Sequence, residues 1–524
     1  MAKNGTPSPQ APISMSSASS LVLLQLLSRA FTFVLNQLLV RLVSPQVFGT
    51  AAIQFELLLS TILFLSREGV RNALLRASPS EKDPKVKGSN TQAGTQPLVS
   101  NIALLPVLLG IPVTVLSAFI YLASSSESTS SQPHFKLSVF IYAFAAFCEL
   151  LSEPLYIRVQ NDLRFDVRVR AEGSAVAVKT LTTFLVLVLT SPEWALVAFA
   201  LGQAAYGITM LVQFLRVYGR SAQYILKSVQ TRIHGNSKSQ YFDSALLHLS
   251  AWMTGQSVVK HFLTEGDKFL VSRLSPLADQ GGYAVASNYG SLAARIIFQP
   301  IEETSRVFFS KTLSAGAKAT PDALRAASDT LFSILLLFTH LLLVLTAFAP
   351  PYLPLALTLV LPRRYLQTSA PAILHTYVYY IPTMAFNGVL EAFFASTASP
   401  ADLRAQSRWL LLFSAAFIAG AVFCARGLAL GDAGLVWANV ANLCLRAAYA
   451  WRFAQRYYAE RGAQPLVRIG RAVPPFGVLA TFTVAAGMTR LSEYVFRDAP
   501  LTLRGQLWHV AIGVCCLGQC AVAW

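Results

Sequence analysis

The residues able to do chemistry in this chain are ionisable side chains set inside long apolar runs. Arg29, Lys179 and Arg295 have apolar sequence on both sides; Arg41, Glu56, the cluster Arg67-Glu68-Arg71, Glu149, Glu153, Lys260, Glu302-Glu303, Glu391 and Arg446 lie within or beside such runs. A charge at the centre of a bilayer costs at least ~2.5–3.5 kcal/mol, so each of these groups must reach a partner, a cavity or the interface. Arg41, Glu153 and Lys260 are close enough to run ends to snorkel outward. Arg67, Glu68 and Arg71 can pair with one another at one helix end. Arg29, Lys179 and Arg295 have neither route and are assigned to a cavity. Several basic groups around one cavity suit an anion, and a guanidinium fork matches phosphate oxygens. A diphosphate headgroup fits that chemistry, although the residues do not name it.

Signatures of other chemistry are missing. There is no HExxH, no GxxxxGK[ST] and no GxSxG, and the seven His have no ligand-like spacing. No enzymatic activity, cofactor or metal is therefore expected. Cys148, Cys424, Cys444, Cys515, Cys516 and Cys520 lie in apolar stretches without metal-type spacing and read as small core residues. Acylation of the Cys515-Cys516 pair is the alternative.

The elements that must position these groups are membrane spans. Hydrophobic residues make up 54% of the 524 and charged residues 13%, against roughly a quarter charged in soluble domains, which excludes a water-facing surface. The apolar blocks, such as 21–43, 98–122 and 196–215, match the ~20 residues a helix needs to cross hydrocarbon. Fourteen spans are expected, the first near 19–43, the second near 49–66 and the last near 506–524. The net charge of +17 is spread between these blocks rather than clustered, which speaks for loops beside anionic headgroups and against nucleic acid. With the N-terminus in the cytosol, loops on that face hold about three times the Lys and Arg of the opposite loops, so both termini are expected to be cytosolic.

The stretch 350–371 breaks this pattern. Pro350, Pro351, Pro354 and Pro362 are expected to interrupt helices there, and Arg363-Arg364 violates the charge rule, giving an interfacial elbow rather than a further span. Residues 1–18, 77–97 and 123–133 have the composition of disordered segments. The first apolar block carries Arg29 and is too long for a cleavable signal, so it is expected to stay as an anchor. The end at Trp524, directly after an apolar run, reads as a truncation.

A repeat organises the spans. LVRLVSPQVFGTAA (39–52) and LVSRLSPLADQGGYAVA (270–286) each place an apolar helix end, Ser-Pro, a short turn and Gly before another apolar helix. An even number of spans between the copies makes the repeat parallel, and lobes so related commonly bind substrate between them. The expected fold is an all-α polytopic membrane protein of about 14 transmembrane helices: two parallel-repeat six-helix lobes around a central cavity, plus a C-terminal pair. Its expected parts are a cytosolic N-terminus at 1–18, an N-lobe at 19–217, an interlobe linker at 218–242, a C-lobe at 243–451 and a terminal pair at 452–524.

The blocks SRAFTFVLNQLLVRLVSPQVFG (28–49), LFLSREGVRNALLR (63–76), LLSEPLYIRVQ (150–160), FLTEGDKFLV (262–271) and ARIIFQPIEE (294–303) together resemble the oligosaccharide-translocation family of the endoplasmic reticulum. That family lies within the multidrug/oligosaccharidyl-lipid/polysaccharide flippase superfamily. The last two-fifths of the chain resemble it in hydropathy and in short pieces such as NGVLEAFF (387–394). The resemblance implies a multi-pass protein of the endoplasmic reticulum membrane whose partners are membrane lipids and a lipid-linked oligosaccharide. It further implies that the dolichyl-diphosphate-linked, mannose-rich precursor of N-glycosylation moves from the cytosolic to the lumenal leaflet by alternating access. Carried over by position, the family's basic cavity groups fall on Arg29, Arg41, Arg67, Arg71, Lys179 and Arg295, and its acidic marks on Glu265, Glu302 and Glu303, with Glu68 beside Arg67. In the mechanism this suggests, Arg29, Arg67 and Arg295 from opposite lobes hold the diphosphate while the polyprenyl tail stays in lipid between the lobes. Two rivals are a non-transporting binder that organises the same precursor and, less favoured by the basic groups, an exporter of organic cations. Protein partners, coupling ion and oligomeric state are not encoded legibly.

Overall fold

The structure, a computed structural model, describes residues 34–35, 37–77, 101–162, 164–219, 224, 226, 229–233, 236–313, 320–497 and 503–524. Most of the first expected span, the N-terminus at 1–18 and the segment 78–97 lie outside these residues. The described chain is helical: α1 (Pro45–Leu74), α2 (Leu105–Ser124), α3 (Phe135–Asn161), α4 (Phe165–Leu189) and α5 (Ala195–Tyr218) come first. A short antiparallel hairpin, β1 (Val229–Ile233) and β2 (Asn236–Gln240), follows in the expected linker as an addition to the all-α architecture. Then come α6 (Ser244–Thr264), α7 (Gly266–Leu274) and α8 (Leu277–Ala293, continuing through a wide π-turn at Ala294–Phe298 into Gln299–Thr312). The chain ends with α9 (Pro321–Val360), α10 (Ala370–Thr397), α11 (Pro400–Val422), α12 (Gly431–Ala459), α13 (Phe476–Arg497) and α14 (Leu503–Ala523).

Among the described residues nine helices are long and apolar enough to cross a bilayer. α6, α8, α10 and α12 have the length but carry more Asn, Gln, Ser, Tyr and charge; such side chains inside a membrane need protein partners rather than lipid. Packing divides the helices accordingly. One core joins α1, α2, α3 and α5 through Phe55, Ile62, Val139 and Leu150. A second joins α8, α9, α10 and α12 through Phe309, Phe338, Phe393 and Tyr458. A third fastens α13 and α14 to α9 through Ala347, Phe482 and Cys516.

The two copies of the sequence repeat meet face to face. Ser44 caps α1 by accepting from the Val47 amide, with Pro45 at the first helical position, where a missing N–H costs nothing. α8 likewise starts directly after Pro276. The two helix starts then pack reciprocally. A Cβ on Gly49 would lie 2.6 Å from the Leu277 carbonyl oxygen, and one on Gly281 would strike the Pro45 carbonyl. The glycines are therefore required by backbone-on-backbone contact, and Gln54 donating to Gln280 at 2.8 Å pins the same seam. The π-turns Phe64–Glu68 of α1 and Ala294–Phe298 of α8 recur at the spacing of the repeat.

Two expectations need correction. Helix α9 runs through Pro350, Pro351 and Pro354 and stops only before Pro362. The proline at 351 frees the Ala347 carbonyl, and the Thr489 hydroxyl of α13 donates to it at 3.1 Å; neighbouring helices commonly rescue intramembrane prolines this way. Arg364, just beyond α9, caps the helix before α1 by donating to the carbonyls of Val40, at 3.3 Å, and Arg41. The loop at 123–133 is ordered, with a turn of helix at Glu127–Ser130, a buried Thr129 and Gln132 accepting from Thr50 at 2.9 Å.

α14 is held by His509. Its Nε2 reaches the Pro351 carbonyl at 3.2 Å, which can only accept, so Nδ1 is the acceptor for the Ser492 hydroxyl at 2.7 Å. The ring also stacks on Tyr352 at 4.2 Å. His509→Phe keeps the stack and removes both hydrogen bonds. It is expected to cost about 2–3 kcal/mol, roughly 1–1.5 for each lost bond, read as a lower thermal midpoint in detergent.

Candidate functional site

The intramembrane charges collect on α1 and α3. Arg67 and Arg71 are one helical turn apart on α1, and Glu149 and Glu153 are one turn apart on α3, so each pair shares a face. α3 bends between them, where Pro154 follows Glu153 and the Ser152 hydroxyl returns to the Glu149 carbonyl at 2.6 Å. Two nitrogens of Arg71, Nε and Nη2, grip Glu153, at 2.5 and 2.6 Å, and its guanidinium lies 4.0 Å over the Tyr156 ring. Arg67, on the π-turn, is held more loosely, 3.7 Å from Glu149 and 3.8 Å from Glu153. Gln203 of α5 donates to Glu149 at 2.7 Å.

Beside this ladder lies a cavity of about 500 Å³, walled by α1, α3, α4 and α5 and lined by Glu56, Arg67, Glu68, Glu149, Lys179 and Tyr206 among others. Lys179 enters from α4 and has no carboxylate within ion-pair distance among the described residues. The lining carries both signs of charge, more acidic than the mainly basic cavity expected. The carbonyl oxygen of Gln203 is buried there without a partner among the described residues.

A matching polar pair occurs in the second bundle. Arg446 of α12 grips Glu391 of α10 through two nitrogens, at 2.8 and 2.9 Å, where α5 and α3 of the first bundle pair Gln203 with Glu149. Glu302 of α8 pairs with Arg306 at 2.7 Å, and its carboxylate comes within 3.1 Å of where a Cβ on Gly388 of α10 would stand.

The expected site residues are thus only partly gathered. Arg67, Glu68 and Lys179 line the charged cavity. Arg71 sits beside it, committed to Glu153. Glu68 accepts from Asn72 at 3.1 Å, so Arg67, Glu68 and Arg71 do not pair among themselves. Arg41 is exposed at the end of the helix before α1. Glu265 lies on the opposite side of α1, paired with Lys268 at 2.8 Å. Glu303 is exposed and accepts from Gln299 at 3.0 Å. Arg295 belongs to the π-turn of α8; its side chain, that of Lys260 and the whole of Arg29 lie outside the described residues. Glu153 does not snorkel: it is fully buried and answered by Arg71. The spacing of Glu149 and Glu153 around a Ser-Glu-Pro bend was the available signal for that ladder. Nothing in the sequence marked Gln203 or Tyr206.

Known proteins match this architecture along nearly the whole chain. The family model described as "Rft protein" covers residues 13–524. A relative from Yarrowia lipolytica named "Man(5)GlcNAc(2)-PP-dolichol translocation protein RFT1" is 34% identical, over 94% of this chain and 77% of its own. Relatives of the same name from Saccharomyces cerevisiae and Xenopus tropicalis are each 30% identical, the first over 85% of this chain and 83% of its own, the second over 95% and 92%. Among solved structures, the inward closed lipid II flippase MurJ superposes with a TM-score of 0.56 at 14% identity, covering 94% of this chain and 98% of that one. An inward-facing multidrug resistance MATE family transporter gives 0.52 at 10% identity, over 82% and 95%. These two share the fold. With the family model spanning almost every residue, this multi-pass, predominantly helical chain belongs to the Rft protein family.

Proposed function

We propose that the protein carries the dolichyl-diphosphate-linked, mannose-rich oligosaccharide across the endoplasmic reticulum membrane, from the cytosolic to the lumenal leaflet, by rocking its two bundles. The observation that carries this reading is the charged cavity inside the bilayer, where Arg67 is loosely shared and Lys179 is unpaired among the described residues. Loosely held cations can exchange a carboxylate for a phosphate, whereas Arg71, gripped at 2.5 Å, orders the wall. The mixed charge fits the whole headgroup better than phosphate alone. Carboxylates such as Glu56 and Glu68 accept hydrogen bonds from sugar hydroxyls, while the cations meet the diphosphate. The names of the relatives supply the substrate class, and the flippase fold supplies two bundles able to move against each other.

A charge-assisted hydrogen bond is worth about 1.5–3 kcal/mol. Lys179→Ala and Arg67→Ala are each expected to weaken equilibrium binding of the purified lipid-linked oligosaccharide in detergent about tenfold or more. Unchanged affinity in both would place the headgroup elsewhere. The three carboxylates and the orphaned Gln203 oxygen favour a second reading, a cationic ligand. Binding of an organic cation that is lost in Glu149→Gln, with the oligosaccharide unbound, would select it.

A further inference from the structure

We infer that the bilayer side of the α1–α6 contact is a binding site for an anionic phospholipid of the membrane, separate from the lipid that is carried. A second cavity, of about 570 Å³, lies between α1, α2 and the α6–α7 pair. This is the size of a small-molecule site and large enough for a long hydrocarbon chain. Helix α1 divides it from the charged cavity: Leu57, Leu58 and Leu65 face the groove, whereas Glu56, Ser60 and Arg67 face the cavity. From α2 the groove receives Val113, Leu116 and Ile120. The same helix turns Leu109, Val115 and Phe119 outward, exposed, so the groove is continuous with the lipid-facing surface.

One end of the groove is polar. Ser124, Ser125 and Ser126 at the end of α2 and Ser272 and Arg273 of α7 meet there. Arg273 is exposed, its guanidinium 5.9 Å from the Phe269 ring, and no carboxylate pairs with it among the described residues. Glu265, the acid that also lines the groove, is neutralised by Lys268 at 2.8 Å. The polar end therefore presents one uncompensated cation and several hydroxyls above an apolar slot. That is the complement of a phosphate on a hydrocarbon chain.

The carried lipid does not fit this place. Thr61 and His261 meet at 2.9 Å, the Phe64 ring lies tilted against His261 at 4.8 Å, and Gly69 packs against the Thr254 backbone. These contacts close α1 on α6, so a molecule whose phosphates reach Arg67 does not lay its tail in the groove. The occupant instead touches α1 and α2 on one side and α6–α7 on the other. It favours the lobe arrangement seen here, because rocking would part its two walls.

The test uses the full chain in phosphatidylcholine nanodiscs containing a minor fraction of phosphatidic acid with a diazirine at its acyl end, with labelled peptides mapped after illumination. Labelling is expected to concentrate on 57–65 and 113–120, several-fold above the exposed α11 face that carries Trp409, Leu412 and Ile418. Arg273→Ala is expected to reduce groove labelling by phosphatidic acid several-fold while leaving that by diazirine phosphatidylcholine unchanged. Ser117→Trp, which fills the slot, removes both. Groove labelling no higher than on α11, or indifferent to Arg273→Ala, overturns the proposal. So does displacement by dolichyl phosphate but not by phosphatidylinositol, which would assign the groove to the carried lipid.

Discussion

Removing the Glu153 carboxylate is expected to be among the most damaging single changes in the protein. In Glu153→Ala the Arg71 guanidinium stays in an intramembrane site with only 17% of its side chain exposed, and Arg67 loses one of its two anchors. Breaking a buried pair from one side costs about 3–5 kcal/mol, because the surviving charge is uncompensated. That is a large share of a typical folding free energy, so low yield and a much reduced thermal midpoint should follow. Replacing both partners, Arg71→Leu with Glu153→Leu, removes the uncompensated charge and should recover most of the loss. Thermal unfolding of Arg71→Leu, Glu153→Leu and the double variant in detergent decides this; a double variant as unstable as the sum of the singles would show that the pair is not the unit.

The second large effect lies at the contact between the two repeat copies. Gly281→Val would drive its side chain into the Pro45 carbonyl, and Gly49→Val into the backbone of Leu277 and Gly281. Neither obstacle is a flexible side chain that can turn aside. Overpacking of this kind costs about 1–3 kcal/mol, and because the proposed rocking of the bundles parts this contact, it is expected to move the population about 5–150-fold. In a cysteine-free background, Gln280→Cys, buried at this seam, should react with a membrane-impermeant maleimide correspondingly faster when Gly281→Val is added. Gly487→Ala, where nothing lies within 4 Å, should leave the rate unchanged.

Apolar blocks, turn residues and one repeat were enough to read the bilayer-embedded helices and the parallel relation of the two bundles. The Ser-Pro and Gly of both copies survive in the structure as helix starts that pack on each other. Hydropathy is one-dimensional, however, and the misread features are those in which a distant segment supplies a missing partner. The proline at 351 read as a break because the Thr489 hydrogen bond that answers the freed Ala347 carbonyl comes from a helix more than a hundred residues away. The polar loop at 123–133 read as disordered because Gln132 and Thr129 are ordered by α1, through Thr50 and Gln54.

The candidate site shows the same limit. Counting charges inside spans found Arg67, Lys179, Glu149 and Glu153, but which face of each helix they occupy depends on a bend and a π-turn. The sequence grouped Arg67, Glu68 and Arg71 with each other; the structure gives Arg71 to Glu153 and Glu68 to Asn72. Arg446 and Glu391 were visible as intramembrane charges, and only the bundle geometry of α10 and α12 made them a pair.

The central claim is transport of a lipid-linked oligosaccharide. The most direct measurement reconstitutes the purified full chain into vesicles loaded with dolichyl-diphosphate oligosaccharide and follows the share of glycan that becomes accessible on the opposite leaflet. Transfer that rises with protein content and falls in Arg67→Ala and Lys179→Ala is the predicted result. Transfer no faster than in protein-free vesicles, with the purified protein folded and binding the lipid, would contradict it.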